Sequence, residues 1–200
     1  MNRFFESSYL TWEITPAGNL KFITDTFDRL KYLEDNEVNT WKHTETSDYF
    51  FQQRPIGQER PFPLAHLNIS ANELTAIFLE HGLVVEENII FVEDIEMRKY
   101  SRQIQNANCF SNLSYAVFFS SENNTVKYIW FDYDDRLSEE SDRLNTGKLL
   151  NLLGEKYSFI LVDWYEKLVI DLSDKKAVIK YLDDTAESNK QFFQKISGNK

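Results

Sequence analysis

Leu113-Ser114-Tyr115-Ala116-Val117-Phe118-Phe119-Ser120 and Val126-Lys127-Tyr128-Ile129-Trp130-Phe131-Asp132 flank the polar link Ser121-Glu122-Asn123-Asn124-Thr125. Both runs are dense in aromatic and β-branched residues, which fit a pleated, half-buried surface. With a polar link between them they predict a β-hairpin. Downstream, Ser158–Trp164 and Lys167–Leu172 form a second strand pair around Tyr165-Glu166. Phe159-Ile160-Leu161-Val162 does not alternate with polar residues, so this strand is expected to be covered on both faces. Upstream, Tyr9–Thr15 and Asn19–Thr24 flank Pro16-Ala17-Gly18 and predict a third hairpin. A further short strand is expected over Asn88–Val92.

Helical spacing fills the intervals. Phe27, Leu30 and Leu33 predict a helix capped by Thr24 or Asp25 and ending near Asn36. Ser70-Ala71-Asn72-Glu73 is a capping box, in which the Ser70 hydroxyl accepts the Glu73 amide and the Glu73 carboxylate returns to the Ser70 amide. Leu74, Ile77 and Phe78 then mark one face, and Gly82 ends the helix. Asp94–Gln105 is charged and open to a helical reading. Leu137 to Leu153 suggest a helix interrupted or begun late at Thr146-Gly147 and ending at Gly154. Ser173 or Asp174 caps a last helix through Ala177, Val178, Tyr181 and Leu182. Residues 37–69 hold Pro55, Pro61 and Pro63, and predict short strands around Thr40–Phe51 before an extended crossing.

Hairpins mixed with helices argue for an α+β fold, a mainly antiparallel sheet of six to seven strands with four to five helices. The 200 residues suit a single domain over 1–200, with room for an N-terminal lobe over 1–69 and a flexible tail over 187–200. Trp12, Trp130 and Phe159 are the expected core aromatics.

Composition narrows the function classes. Aromatic residues make up 15% of the chain, which argues against disorder. The 32 acids against 22 bases give a charge of −10 and disfavour direct nucleic-acid binding. No run approaches the ~20 apolar residues of a membrane span, and Met1–Ser8 lacks the apolar stretch of a secretion signal. Cys109 is the one cysteine, which fits a reducing, cytoplasmic setting. Asn68-Ile69-Ser70, Asn112-Leu113-Ser114 and Asn123-Asn124-Thr125 are then read as chance matches to a glycosylation pattern.

The chemistry-bearing residues are dispersed. His43, His66 and His81 share no metal-ligand spacing. Asp132-Tyr133-Asp134-Asp135 contains an Asp-x-Asp pair that can hold a divalent cation. Arg136, Leu137 and Arg143 stand where a calcium loop needs other residue types, and with six glycines no phosphate cradle is present. Cys109 has no neighbouring base, and no Gly-x-Ser-x-Gly elbow occurs. No cofactor is expected.

Charge is less evenly spread. Asp132, Asp134, Asp135, Glu139, Glu140 and Asp142 meet only Arg136 within eleven residues, a local charge of −5, half the chain's excess. Glu86, Glu87, Glu93, Asp94 and Glu96 form a second cluster. One reading is a solvated loop with acids placed at a helix start, where the dipole favours them. The other is an electrostatic landing site for a basic protein. Tyr133, Trp164 and Tyr165 would serve as aromatic anchors beside those acids.

The segment Leu149-Leu150-Asn151-Leu152-Leu153-Gly154-Glu155-Lys156-Tyr157-Ser158-Phe159-Ile160-Leu161-Val162-Asp163-Trp164, in a small, acidic, cysteine-poor α+β chain, resembles the helix-then-strand unit of bacterial toxin-immunity proteins, including those of contact-dependent growth inhibition. The resemblance covers about a tenth of the chain and carries over no functional residue. It implies a cytoplasmic protein that binds a cognate toxin domain, often a basic nuclease, and blocks its active site or substrate surface. The sequence therefore predicts a noncatalytic acidic binding protein. The partner-binding residues are Asp132, Tyr133, Asp134, Asp135, Glu139, Glu140, Asp142, Trp164 and Tyr165. The alternatives are a metal-dependent enzyme on phosphate or sugar donors using Asp132 and Asp134, and a DNA mimic that blocks a nucleic-acid enzyme. Oligomeric state is not assigned.

Overall fold

The computed structural model describes residues 2–5, 12–37, 60–86, 89–92, 101–102, 107–112, 115–133 and 140–197. The strands are β1 (Asn2–Phe5), β2 (Trp12–Pro16), β3 (Val84–Val85), β4 (Ile89–Val92), β5 (Ser101–Arg102), β6 (Ala107–Ser111), β7 (Tyr115–Glu122), β8 (Thr125–Tyr133), β9 (Phe159–Asp163) and β10 (Leu168–Asp171). The α-helices are α1 (Leu20–Glu37), α2 (Ala71–Glu80), α3 (Glu140–Tyr157) and α4 (Lys175–Ser197). Seven strands form an antiparallel sheet in the order β10-β9-β2-β8-β7-β6-β3, and β1-β4-β5 form a small second sheet. The architecture is α+β, as the hairpin pattern predicts.

The β7–β8 hairpin turns on Asn123 and Asn124, with φ of 50° and 63°. Two consecutive left-handed residues match the twist of the flanking strands, and Asn tolerates that conformation well. The five-residue polar link therefore contracts to a two-residue turn, with a register shift at Ser120/Ser121.

β9 lies between β10 and β2, and every one of its residues is buried. Phe159 and Leu161 face a core built with Leu74 and Phe78 of α2, Leu149 and Leu153 of α3, and Val178 and Leu182 of α4. Ile160 and Val162 face the other way, with Trp164, onto Ile23 and Phe27 of α1. Coverage on both faces explains the unbroken apolar run. Phe159 is fully buried, while Trp12 and Trp130 are half-buried.

The N-terminal hairpin expectation is corrected: Asn19–Thr24 is helical, and β2 pairs instead with β8 and β9. Pro16 is followed by a single 3-10 turn whose Ala17 N–H donates to the Ser158 carbonyl at 2.8 Å. The buried Asn19 amide donates to Thr15 Oγ1 at 3.0 Å and to the Phe62 carbonyl at 2.9 Å, and its Oδ1 accepts the Phe62 N–H. Ile23, Phe27 and Leu30 then fall on one buried stripe, at the spacing a helix requires. Within the segment read as room for an N-terminal lobe, β2 belongs to the seven-stranded sheet and Leu64 and Ile69 to its core, while β1 pairs with β4 in the small second sheet.

Three other expectations change. Ser101-Arg102, within the stretch open to a helical reading, is strand β5 against Phe91-Val92. α3 runs unbroken through Thr146-Gly147 and past Gly154. The polar segment from residue 187 is helical through Ser197. Pairs one turn apart support it, including Lys180–Asp184 and Gln191 Nε2 donating to Glu187 at 3.0 Å. The strands expected around Thr40–Phe51 lie outside the described residues, as does most of Asp94–Gln105.

The Ser70 cap is present, with its hydroxyl accepting the Glu73 N–H at 3.4 Å. The Glu73 carboxylate makes another contact: it accepts from Lys156 Nζ at 2.7 Å and Tyr157 Oη at 3.0 Å, joining α2 to α3. Those two donors lower the Glu73 pKa, Lys156 first. A depressed carboxylate adds stability above its unfolded pKa and loses it as pH falls through the folded one. Glu73→Gln should therefore cost under about 1 kcal/mol at pH 7, given the solvent screening of this pair. Urea titrations of the variant and the parent should converge as the buffer is taken below about pH 4. A difference that persisted undiminished in acid would remove the charge from this account.

Candidate functional site

Register fixes which side chains share an end of the sheet. Trp12 stands opposite Phe131 on one side and Asp163 on the other. β8 and β9 are both antiparallel to β2, so they leave the sheet in the same direction. Asp132 and Tyr133 emerge beside the Trp164–Lys167 turn. α3 starts at that end, with Glu140 and Asp142 in its first turn, where the helix dipole favours negative charge.

α4 brings further acids to the same end. Its Tyr181 hydroxyl donates to Asp163 Oδ2 at 2.5 Å. Two and three residues on, Asp183 accepts from Arg143 Nε at 3.2 Å, and Asp184 pairs with Lys180. Asp183, Asp184 and Glu187 were not among the sequence-derived site residues. Their signal was present in Tyr181-Leu182-Asp183-Asp184, where two acids directly follow two core residues on one helix.

The predicted residues divide. Asp132 and Asp142 are half-buried and Glu140 is exposed. Tyr133 ends β8. Asp134, Asp135 and Glu139 lie outside the described residues. Tyr165 is 68% exposed, as an anchor must be. Trp164 is 3% exposed and is corrected from surface anchor to core. Its indole N–H donates to Glu13 Oε2 at 3.1 Å, and its ring packs edge-on against Phe27 at 5.4 Å. An aromatic that follows a core strand and alternates with Ile160 and Val162 belongs to that strand's buried face.

Two buried polar networks brace this end. Asp163 is 3% exposed and accepts from Trp12 Nε1, Tyr181 Oη and the Tyr165 and Glu166 amides. Burial, followed by the Asp163 charge and its hydrogen bond, raises the Tyr181 pKa, so Tyr181 is a proton donor across the physiological range. In the second network, Arg60 forks onto Glu13, Nε to Oε1 at 3.2 Å and Nη2 to Oε2 at 2.7 Å. The Arg60 guanidinium also lies 5.3 Å from the Phe22 ring centroid and 5.6 Å from that of Trp164. A planar, always-charged guanidinium suits this combination of fork and stack.

An open groove of ≈760 Å³ runs beside Arg60, with Phe22, His66, Lys127 and Tyr128 on its walls. Its charges are paired within the chain: Arg60 with Glu13, and Lys127 with Glu122 at 3.3 Å. Cys109 is 1% exposed, and burial first, then the charges of Glu86 and Asp132, raise its pKa. It is held as a thiol, which is a poor nucleophile. Among the described residues the buried Tyr115 hydroxyl meets no partner at good hydrogen-bond geometry; burial first, partly offset by the nearby Thr146 hydroxyl and reinforced by the Asp142 charge, pushes its pKa up to about 12. Among the described residues, no three His, Cys, Asp or Glu side chains meet to hold a metal ion. No described helix is long and apolar enough to cross a membrane.

Comparison with protein-family models, curated proteins and solved structures found no match to this chain.

Proposed function

We propose that this chain is a noncatalytic acidic binding protein acting in the cytoplasm, and that its partner is a basic protein. The most concrete form of this reading is an immunity protein that neutralises a cognate toxin domain such as a nuclease. The supporting observation is the common exit of β8 and β9. It sets Asp132, the exposed Glu140 and the 68% exposed Tyr165 at one end of the sheet. Arg143 and Lys180 offset part of the charge that Asp183 and Asp184 add there. Opposed potentials of this kind steer encounter and select the correct mate, while a central aromatic sets the rate of release.

The test begins with affinity capture of the partner at low salt, then measures association by stopped flow with the purified partner domain. Replacing Asp134, Asp135 and Glu139 together with Lys should slow association by about tenfold or more and flatten its salt dependence. Tyr165→Ala should act mainly on dissociation, costing about 1–3 kcal/mol of affinity. Unchanged kinetics in the triple variant would rule this surface out. The same partner also distinguishes the toxin reading: its enzymatic activity should be lost when the complex forms.

A further inference from the structure

Trp164 is the last inward side chain before the exposed Tyr165. Its indole N–H donates to Glu13 Oε2 at 3.1 Å, its ring lies edge-on to Phe27, and the Arg60 guanidinium sits 5.6 Å from its centroid. The same guanidinium forks onto both Glu13 oxygens, at 3.2 and 2.7 Å. A bidentate pair fixes the plane of a carboxylate as well as its position. Arg60 therefore sets where Oε2 stands for the indole and also closes over the indole face. Its backbone is anchored nearby. Phe62 exchanges two hydrogen bonds of 2.9 Å with the buried Asn19 side chain, and its ring lies against Gly18, where a Cβ would meet it at 2.9 Å. From the α4 side, Asp163 accepts the Tyr165 and Glu166 N–H groups at 3.0 Å each. The turn closes on Lys167 with a φ of 55°. A non-glycine residue in this left-handed region persists where its surroundings fix it.

We propose that Arg60 is a positioning residue for the Trp164–Lys167 turn. Through Glu13 and Trp164 it fixes the α1 side of the turn, as Asp163 fixes the α4 side, and so holds Tyr165 in one presentation. Its consequence for binding rests on the reading of Tyr165 as a partner contact. An aromatic anchor held in place before encounter loses less freedom on docking, and the gain appears as slower release. Arg60 supplies more than charge. A lysine ammonium at this position keeps the charge of the pair, but it cannot fork onto both oxygens or stack on the Phe22 and Trp164 rings. The pair is also reachable from solution, since Glu13 and Arg60 both line the open groove, with side chains 15% and 10% exposed. A guanidinium ion therefore has a path to the space that an alanine at residue 60 would leave.

Amide hydrogen exchange in the full chain without partner is the direct test, read at Tyr165 and Glu166 against the β7–β8 ladder. Arg60→Ala should speed exchange of those two amides by about tenfold or more and leave the ladder within about twofold of the parent. Guanidinium at about 50 mM, far below denaturing levels, should restore most of that protection, and methylammonium at the same concentration should not. Arg60→Lys is the milder change and should speed the two amides by about fivefold. It decides the question alone if the alanine variant does not fold. With a captured partner, Arg60→Lys should leave association and its salt dependence unchanged and quicken dissociation by about tenfold. Parental exchange at Tyr165 and Glu166 in either variant, or an equal loss of protection in the ladder, overturns the proposal. So does methylammonium restoring as much protection as guanidinium. The expected exchange in a chain that captures no basic partner upholds Arg60 as the residue that positions the turn, and removes the acidic binding surface instead.

Discussion

Gly154→Ala is expected to destabilise the protein by about 3 kcal/mol or more, beyond the usual range for one added methyl in a packed core. A Cβ at residue 154 would lie 2.1 Å from the Leu172 carbonyl carbon and 2.4 Å from both the Leu172 oxygen and the Ser173 nitrogen. All three are backbone atoms, so no rotamer change can clear them. The turn that carries them is held in place: Asn151 Nδ2 donates to the Leu172 and Ser173 carbonyls at 3.0 and 3.1 Å, and Leu172 is bonded to β9. In an isolated helix the same substitution would stabilise by about 1 kcal/mol, so packing reverses its sign. Gly147→Ala is the control. Its Cβ would meet the Ile179 Cδ1 at 2.4 Å, but that atom is the far end of a flexible side chain and the next contact is at 3.6 Å. Thermal unfolding should show a loss of about 10 °C for Gly154→Ala, at about 2–4 °C per kcal/mol in a chain of this size, and much less for Gly147→Ala. Equal midpoints for Gly154→Ala and the parent would mean that α3 can retreat from the Leu172 turn, and the reading would fail.

Gly154 also shows where sequence reading reaches its limit. A glycine after Leu152-Leu153 is an ordinary stop signal, because only tertiary structure reveals that another backbone crosses the helix there. The same blindness affects Pro16-Ala17-Gly18, which has the composition of a hairpin turn. The chain instead enters α1, since Asn19 satisfies Thr15 and Phe62 and the stripe Ile23, Phe27, Leu30 is best buried by a helix. Local signals succeeded where the partner is also local: the Ser70 cap, the Asn123-Asn124 turn and the stripe Leu74, Ile77, Phe78. The unbroken run Phe159–Val162 was readable as well, since burial on two faces leaves no polar position. The order of the strands, with β2 inserted between β8 and β9, follows from long-range pairing that no local pattern encodes.

At the candidate site, sequence clustering found the acids adjacent along the chain and missed those adjacent in space. Asp183 and Asp184 lie over forty residues from Glu140 in sequence, yet Arg143 bridges α3 to Asp183. Exposure was the harder inference. Trp164 and Tyr165 are neighbours in one turn, but strand alternation sends the first inward against Phe27 and leaves the second in solvent.

Asp163→Ala should cost about 3–5 kcal/mol, the range for removing one partner from a buried charged network. Four donors converge on this carboxylate: Trp12 Nε1 at 3.1 Å, Tyr181 Oη at 2.5 Å, and the Tyr165 and Glu166 amides at 3.0 Å each. Truncation leaves the two amides without their acceptor beneath the turn, and each buried unsatisfied group costs about 1–3 kcal/mol. The Trp12 indole retains the Tyr181 oxygen at 2.6 Å, which moderates the loss on that side. Asp163→Asn separates charge from geometry. Its carbonyl oxygen can still accept the amides, but its NH₂ group then faces the Trp12 and Tyr181 donors, so part of the loss should remain. Tyr181→Phe removes one donor and leaves the carboxylate three, and should cost about 1–2 kcal/mol. Denaturant midpoints should therefore fall in the order Tyr181→Phe, Asp163→Asn, Asp163→Ala. Because the Tyr165 N–H donates to Asp163 Oδ1 and so fixes the turn, the Asp163→Ala variant should also weaken binding to the basic partner proposed above, whereas Tyr181→Phe should leave it unchanged. An Asp163→Ala protein as stable as Tyr181→Phe would show that the turn has another acceptor and that this carboxylate does not hold the end of the sheet.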